Sequence, residues 1–183
     1  TTHLAALTEN GSSILALEKH PQRVELINRG AARLGCTSIE ARAWDLTEPP
    51  GFLDPNSFDR VLMDAPCSGL GVLRRNPESR WNRSAADVRE LAGLQIIILN
   101  QVAPLVRPGG VLLYSVCTFT TRETTDVVAE FLEKNKEFIL EDLREKVPDS
   151  WRELIGDDGT LRTAPHRHDG MDAFFAARLR RRM

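Results

Sequence analysis

The chain has 183 residues, of which 42% are hydrophobic and 27% charged, with a formal net charge of −2. This size and balance are typical of a globular domain with its own core and exclude a disordered or fibrous chain. No apolar run approaches the roughly 20 residues that a membrane helix needs, and no signal-peptide pattern opens the sequence. We therefore expect a cytoplasmic protein without a membrane partner.

The predicted elements alternate between strand and helix along the chain. In chain order, strands are predicted at 12–18, 38–45, 58–64, 111–116, 138–143 and 174–179, and helices at 20–34, from 85 to before Pro108, and from 120 to about 135. Capping boxes are predicted at Ser84 with Asp87 and at Thr120 with Glu123. This alternation predicts an α/β fold with a largely parallel sheet covered on both faces. The segment 65–83, rich in Gly, Pro and Arg, is expected to be a functional loop.

Four candidate side chains lie where predicted strands end, namely Glu18, Asp45, Asp64 and Cys117. Ligands of parallel sheets bind beyond the carboxyl ends of the strands, so a site is expected along that edge. Carboxylates there can accept the ribose hydroxyls of a nucleotide and the amine of its base. Spacing alone fits a simpler explanation better, in which Glu18 and Asp45 only cap the turns after their strands.

Two of the three cysteines occupy positions that packing explains less well. The run DAPC at 64–67 places an acid and a thiol after an apolar strand, and Gly69 and Gly71 would let the backbone approach a ligand. Cys117 precedes a predicted helix start, where the helix dipole would favour a thiolate, although a small apolar strand residue is the alternative. Cys36 follows a helix end and is expected to be structural. No spacing suggests a metal site.

Three segments, taken together, resemble one known family. The stretch MDAPCSGLGVLRRNPESRW, the YSVCTF segment fifty residues later and the C-terminal GMDAFFAARL resemble the Fmu/Sun (RsmB-like) family of RNA cytosine-C5 methyltransferases. The resemblance covers the whole chain in the same order, and the two cysteine motifs together are more specific than either alone. It implies a Rossmann-like class I methyltransferase with an antiparallel C-terminal strand. It also implies S-adenosylmethionine as cofactor and RNA, in particular 16S rRNA, as partner.

The resemblance implies three catalytic roles. Cys117 matches the cysteine that attacks C6 of the cytosine, and Cys67 matches the one that assists release of the product. Asp64 matches the acid placed against the target base and the methionine end of the cofactor. Such a base must be single-stranded or flipped out of its stack before a thiol can reach it.

The resemblance also implies the cofactor site. Glu18 matches the acid that binds the ribose, Asp45 the acid at the adenine, and Arg23 an arginine in the helix after Glu18. The family's first strand and Gly-rich cofactor loop have no counterpart before Thr1. We therefore expect residues 1–183 to be a catalytic domain truncated at its N-terminus, with weak cofactor binding by itself.

Basic residues form two clusters on this acidic chain. The first contains Arg74, Arg75, Arg80 and Arg83 beside Trp81, which suits phosphates and a stacked base, and we expect Arg74, Arg75 and Arg80 to contact RNA. The second contains Arg178, Arg180, Arg181 and Arg182. For this C-terminal cluster, RNA contact and a merely solubilising tail are equally good explanations.

Two other classes of protein compete with this interpretation. A catalytically inactive methyltransferase-like RNA-binding module would explain the missing Gly-rich loop, but it would not need two thiols with an acid. A small-molecule or protein methyltransferase of the same fold would carry a loop of the Asn-Pro-Pro-Tyr type where this chain has DAPC.

Overall fold

The computed structural model describes all of residues 1–183, which form two compact units, Thr1–Pro50 and Gly51–Met183. The first unit contains α1 (Thr2–Leu7), β1 (Ile14–Glu18), α2 (Pro21–Arg33) and β2 (Ile39–Ala43). The strands β1 and β2 are parallel, from Ile14 opposite Ile39 to Glu18 opposite Ala43. The carboxyl ends of both strands therefore lie at the same edge of this small sheet.

The helix α2 connects β1 to β2 and follows from local sequence rules. Pro21 occupies its first turn, where the missing N–H group is not needed. Gly35 lies just beyond its end with a positive φ of 65°, a conformation that glycine adopts without strain. The predicted strand at 12–18 and the predicted helix at 20–34 are confirmed with slightly shorter bounds, whereas α1 was not predicted.

The second unit carries the larger, five-stranded sheet. Its elements are β3 (Phe58–Asp64), α3 (Ala85–Val102), β4 (Val106–Val116), α4 (Thr125–Lys134), β5 (Phe138–Glu141), β6 (Leu161–Arg162) and β7 (Phe175–Arg181). The strand order is β3-β4-β7-β5, with β6 also paired to β7. The pair β3/β4 is parallel, and β7 runs antiparallel to each of its neighbours. This confirms the α/β class and the antiparallel C-terminal strand.

The core of the second unit is built around β4 and β7. Leu112, Tyr114 and Val116 of β4 are fully buried, as is Leu179 of β7. Alternate residues of a strand face the same side, so these three β4 positions define one buried face that ends directly before Cys117. A packed strand of this kind holds the residue after it in a fixed position.

Two predictions about segment boundaries are wrong. The strand β4 begins at Val106 rather than 111, because the chain through Pro108 and Gly110 stays in the sheet across a register shift. The residues Thr121–Glu123 form a 3₁₀ turn, and α4 begins only at Thr125 without a side-chain cap. The predicted capping box at Ser84 is confirmed, since Ser84 and Asp87 exchange side-chain-to-backbone hydrogen bonds.

None of the helices is both long enough and apolar enough to cross a membrane.

Candidate active site

The thiols of Cys67 and Cys117 lie together at the edge of the large sheet, with their sulfur atoms 3.4 Å apart. Cys67 belongs to the loop after β3, and Cys117 directly follows β4. The two strands are parallel neighbours, with Asp64 opposite Ser115, so the segments that follow them leave the sheet at the same edge. Both cysteines are half-buried. Fifty residues of sequence therefore separate two thiols that are in contact.

The contact changes the acidity of the two thiols in opposite directions. The hydrogen bond from the Cys67 thiol lowers the pKa of Cys117 to about 7, against the opposing effects of partial burial and of the negative charges of Asp64 and Glu123. The same hydrogen bond, with burial, raises the pKa of Cys67 far above its ordinary value. Cys117 is thus the candidate thiolate and Cys67 the thiol that keeps its proton.

The helix start that the sequence predicts beside Cys117 lies further along the chain. The thiolate effect of a helix is confined to its first turn, and α4 begins at Thr125, well beyond Cys117. The largest effect that lowers the pKa of Cys117 is the hydrogen bond from Cys67.

This acidity yields a first prediction. Alkylation of Cys117 by iodoacetamide should rise with pH through a midpoint near 7, since the thiolate is the reactive form. In Cys67→Ala the midpoint should move up towards ~8.5, the ordinary value for a thiol, because the stabilising hydrogen bond is lost. Mass spectrometry of the Cys117 peptide reports this separately from Cys36. A midpoint that does not move would show that Cys67 has no influence on Cys117.

A buried polar cluster, not recognised in the sequence, lies behind the two thiols. It consists of Ser68, Gln95, Thr118 and Glu123, all buried, with Thr120 at its rim. Glu123 was predicted only as a helix cap, yet its side chain is fully buried. A carboxylate is rarely buried unless it is well hydrogen-bonded, and Glu123 accepts from donors on three different segments.

Asp64 is the last residue of β3 and is exposed, three residues before Cys67. Its charge is close enough to Cys117 to oppose ionisation of that thiol. The structure therefore brings Asp64, Cys67 and Cys117 together at one edge of the sheet.

The glycines of the DAPC loop have a different use from the predicted one. Gly71 approaches the protein's own backbone rather than leaving room for a ligand, since a Cβ atom there would lie 2.0 Å from the carbonyl oxygen of Ala173. Gly69 adopts a positive φ of 70°, which ends the turn before the 3₁₀ segment Leu70–Val72.

The arginines of the loop have three different environments. Arg74 and Arg75 form ion pairs with Asp172, at 3.7 and 2.7 Å, and the Asp172 side chain is only 9% exposed. Arg83 donates a hydrogen bond to the carbonyl oxygen of Ser68 and so braces the Cys67 loop.

Arg80 differs from the others because its guanidinium lies 5.3 Å from the ring centre of Trp81, which is 80% exposed. This stacked pair offers both a charge and an aromatic face to solvent.

Three of the C-terminal arginines form ion pairs or hydrogen bonds with neighbouring strands of the large sheet. Arg178 and Arg180 pair with Glu141 of β5, the strand next to β7. Arg181 donates to the carbonyl oxygen of Val106 at 2.5 Å. Cross-strand contacts of this kind stabilise strand pairing, so a purely solubilising tail is the wrong description of these three residues.

The two carboxylates predicted to bind the cofactor, Glu18 and Asp45, lie in the first unit. They differ in how many of their hydrogen-bond acceptor sites are already occupied by protein groups. Glu18, at the end of β1, accepts one hydrogen bond from the His20 backbone N–H at 2.9 Å, with Arg23 3.9 Å away. Its side chain is 23% exposed. A carboxylate has about four acceptor sites, so Glu18 retains capacity for a pair of hydroxyl groups.

Asp45 lies two positions after β2 and already has partners on both oxygen atoms. One oxygen accepts from the backbone and side chain of Thr47, and the other pairs with Lys19 at 2.7 Å. The hydrogen bond from Lys19, together with those from Thr47, lowers the pKa of Asp45 to about 2. This geometry fits a turn-forming aspartate, and an adenine amine would have to share an oxygen with Lys19 or Thr47.

No group of three or more His, Cys, Asp or Glu side chains lies close enough together to hold a metal ion.

The fold of the chain is that of the Rossmann-like class I methyltransferases. NSun6 from Pyrococcus horikoshii, whose crystal structure was determined with SFG, superposes with a TM-score of 0.81 at 28% identity. The match covers 98% of this chain and 44% of NSun6.

The chain belongs to the 16S rRNA methyltransferase RsmB/F family, whose family model matches residues 1–180. It is 37% identical to the probable ribosomal RNA small subunit methyltransferase B of Bacillus subtilis over 100% of this chain and 40% of that protein. It is 34% identical to the ribosomal RNA small subunit methyltransferase F of Erwinia tasmaniensis over 99% of this chain and 37% of that protein. The chain thus spans about two fifths of the length of these relatives.

Proposed function

We propose that the protein carrying this chain methylates C5 of a cytosine in RNA of the small ribosomal subunit. S-adenosylmethionine would be the methyl donor and Cys117 the nucleophile, and both units would belong to its catalytic domain. The observation that supports this most directly is the contact of 3.4 Å between the two sulfur atoms, in a chain of the RsmB/F family. A binding module would gain nothing from a paired acidic thiol at a sheet edge.

The chemistry explains why a thiolate is needed. C5 of cytosine is a poor nucleophile, and addition of the Cys117 sulfur to C6 converts the C5–C6 double bond into an electron-rich enamine. When bound, S-adenosylmethionine supplies the methyl group as a sulfonium. Transfer of the C5 proton to water, with departure of the Cys117 sulfur from C6 as a thiolate, then restores the aromatic ring.

Cys67 would act in this last cleavage. The sulfur of Cys117 leaves C6 as a thiolate, and the protonated Cys67 thiol at 3.4 Å can donate a hydrogen bond to it. A donor fixed where negative charge develops stabilises the transition state. Asp64, at the same edge, would contact the pyrimidine near N3, where its carboxyl group in the protonated form would donate a hydrogen bond to the negative charge that forms on the ring.

For the cofactor, we propose Glu18, Arg23 and Asp45 as binding residues of the first unit. Glu18 fits best, because its remaining acceptor sites match two ribose hydroxyls. Arg23 would help to orient the Glu18 carboxylate. Asp45 fits less well, since both of its oxygen atoms already have partners.

For the RNA, we propose Arg74, Arg75 and Arg80 as contacts. Arg80, stacked on the exposed Trp81, suits a phosphate beside a stacked base. Arg74 and Arg75 share Asp172, which holds their guanidinium groups in place while most of each side chain stays exposed.

The experiment uses the natural gene product that contains these residues and a 16S rRNA transcript made with 5-fluorocytosine. With S-adenosylmethionine, wild type and Cys36→Ala should both form a complex with RNA that survives denaturation, because fluorine at C5 blocks the final elimination. With ordinary RNA, the product nucleoside should be 5-methylcytosine by mass spectrometry. RNA binding without any covalent complex would overturn the proposal in favour of an inactive RNA-binding module.

The RNA contacts are checked with the same protein. Arg80→Glu should weaken RNA binding and reduce the slope of log K against log salt by about one, as expected when one phosphate contact is lost. Arg152→Glu, another exposed arginine, serves as the control. Equal slopes for wild type and Arg80→Glu would remove Arg80 from the interface.

A further inference from the structure

Glu123 is a buried carboxylate to which the proposed reaction assigns no role. It ends the 3₁₀ turn Thr121–Glu123 between Cys117 and α4, and it is 0% exposed. The Tyr114 hydroxyl donates to its backbone carbonyl at 2.6 Å, which holds the turn against β4. Its side chain therefore points into the protein from a fixed backbone.

The Glu123 carboxylate contacts the neighbours of both thiols. It accepts from the backbone N–H and the hydroxyl of Ser68, at 2.7 and 2.6 Å, and from the hydroxyl of Thr118 at 3.3 Å. Ser68 follows Cys67 and Thr118 follows Cys117, and their hydroxyl groups also hydrogen-bond each other at 2.9 Å. One side chain thus links the two cysteine segments, one residue beyond each sulfur.

The backbone alone does not fix the Cys67 segment. Backbone hydrogen bonds tie the loop to the β4 side at Ala65 and again at Gly71, with nothing between them but side-chain bonds. Those side-chain bonds come from Glu123 and Thr118 to Ser68, from Cys117 to Cys67, from Gln95 to the Pro66 carbonyl, and from Arg83 to the Ser68 carbonyl. Gln95 also donates to Glu123 at 3.2 Å, so the carboxylate is the centre of this group.

We infer that Glu123 is a positioning residue that holds the Cys67 loop against the segment after β4 and so keeps the two sulfur atoms in contact. The inference rests on the proposed function for its catalytic consequence, but the contact itself can be tested without catalysis. If Glu123 is removed, the Cys67 loop loses its bonds from Ser68 to the carboxylate, and the remaining bonds hold Cys67 less firmly opposite Cys117. Thiolate formation and release of the product should then both suffer, since a displacement of about 1 Å can cost on the order of 10²-fold in rate.

The charge and the position of Glu123 can be separated by two substitutions. In Glu123→Gln, the amide oxygen can still accept from the Ser68 N–H, and the amide nitrogen can donate to the hydroxyl groups of Ser68 and Thr118. In Glu123→Ala these links are lost. Both variants remove the negative charge of Glu123. This charge and the charge of Asp64 oppose ionisation of Cys117, whereas the hydrogen bond from Cys67 favours ionisation of Cys117.

The first measurement is the pH midpoint of Cys117 alkylation in the natural gene product that contains these residues. For Glu123→Ala we expect a rise from near 7 towards ~8.5, because the hydrogen bond from Cys67 is lost. For Glu123→Gln we expect a midpoint at or slightly below the wild-type value, because only the charge is lost. Glu133→Ala, an exposed glutamate of α4, is the matched control and should not change the midpoint.

The second measurement follows the reaction with ordinary RNA. Glu123→Ala should lower kcat by about 10²-fold and accumulate covalent RNA complex, with KM for RNA within about threefold of wild type. Glu123→Gln should recover most of kcat. If Glu123→Ala does not fold, Glu123→Met, which fills similar space without accepting these hydrogen bonds, takes its place and should raise the alkylation midpoint in the same direction.

The outcomes are distinct. A folded Glu123→Ala or Glu123→Met protein with the wild-type midpoint would overturn the positioning role, even if wild type traps RNA. Conversely, a raised midpoint in Glu123→Ala supports the positioning role by itself, and absence of any trapped RNA in wild type would then count against the proposed reaction alone.

Discussion

Cys117→Ala is expected to abolish methylation, with kcat/KM lowered by at least about 10³-fold, because in the proposed reaction the Cys117 sulfur forms the bond to C6. Of the two thiols in contact, Cys117 has the lowered pKa, near 7, and is therefore the one that is substantially ionised at neutral pH. The measurement is transfer of the labelled methyl group from S-adenosylmethionine to a 16S rRNA transcript. The covalent complex with 5-fluorocytosine RNA should be absent as well.

Cys67→Ala is the informative comparison, since it removes the partner thiol and leaves Cys117, the proposed nucleophile. We expect this variant to form the covalent complex even with ordinary RNA and to release it slowly, because the departing thiolate has lost its hydrogen-bond donor. Turnover should fall while trapping persists. If instead Cys67→Ala failed to trap RNA and Cys117→Ala still trapped it, the two roles would have to be exchanged.

The position of the thiols could be predicted from sequence, but the origin of the Cys117 acidity could not. Each cysteine motif follows an apolar run, and parallel strands end at the same edge of a sheet, so proximity of the two segments is implied. The pattern of Thr120 and Glu123 is that of a capping box, which suggested a helix dipole beside Cys117. A local pattern cannot show that the Glu123 side chain instead turns inward to Ser68, which lies 55 positions earlier in the chain.

The ion-pair partners of the arginines could not be predicted from the sequence either. A cluster of basic residues in sequence indicates an anionic partner, yet the acids that pair with them are distant in the chain. Asp172 pairs with Arg74 and Arg75, and Glu141 pairs with Arg178 and Arg180. Only the tertiary fold reveals these pairs, and it leaves Arg80 as the loop arginine that is stacked on an exposed aromatic ring.

Gly71→Ala is expected to destabilise the fold strongly and to lower the free energy of unfolding by about 3 kcal/mol or more. An added Cβ would lie 2.0 Å from the carbonyl oxygen of Ala173 and 2.7 Å from that of Cys117. Both are backbone atoms, which cannot rotate away as a side chain would. Relief requires separation of segments that Gly71 joins by hydrogen bonds to Cys117 and from Ala173, at 3.0 and 2.9 Å.

Gly69→Ala is the matched control, two positions earlier in the same loop. Its φ of 70° makes a side chain unfavourable by about 1–2 kcal/mol, but the nearest atom to an added Cβ is a Val72 methyl at 4.0 Å. Urea unfolding should therefore show a clearly larger loss for Gly71→Ala than for Gly69→Ala. Because the Gly71 N–H donates to the carbonyl of Cys117 itself, Gly71→Ala should also raise the alkylation midpoint of Cys117. Equal losses of stability in Gly71→Ala and Gly69→Ala would mean that the segments around Gly71 separate at little cost.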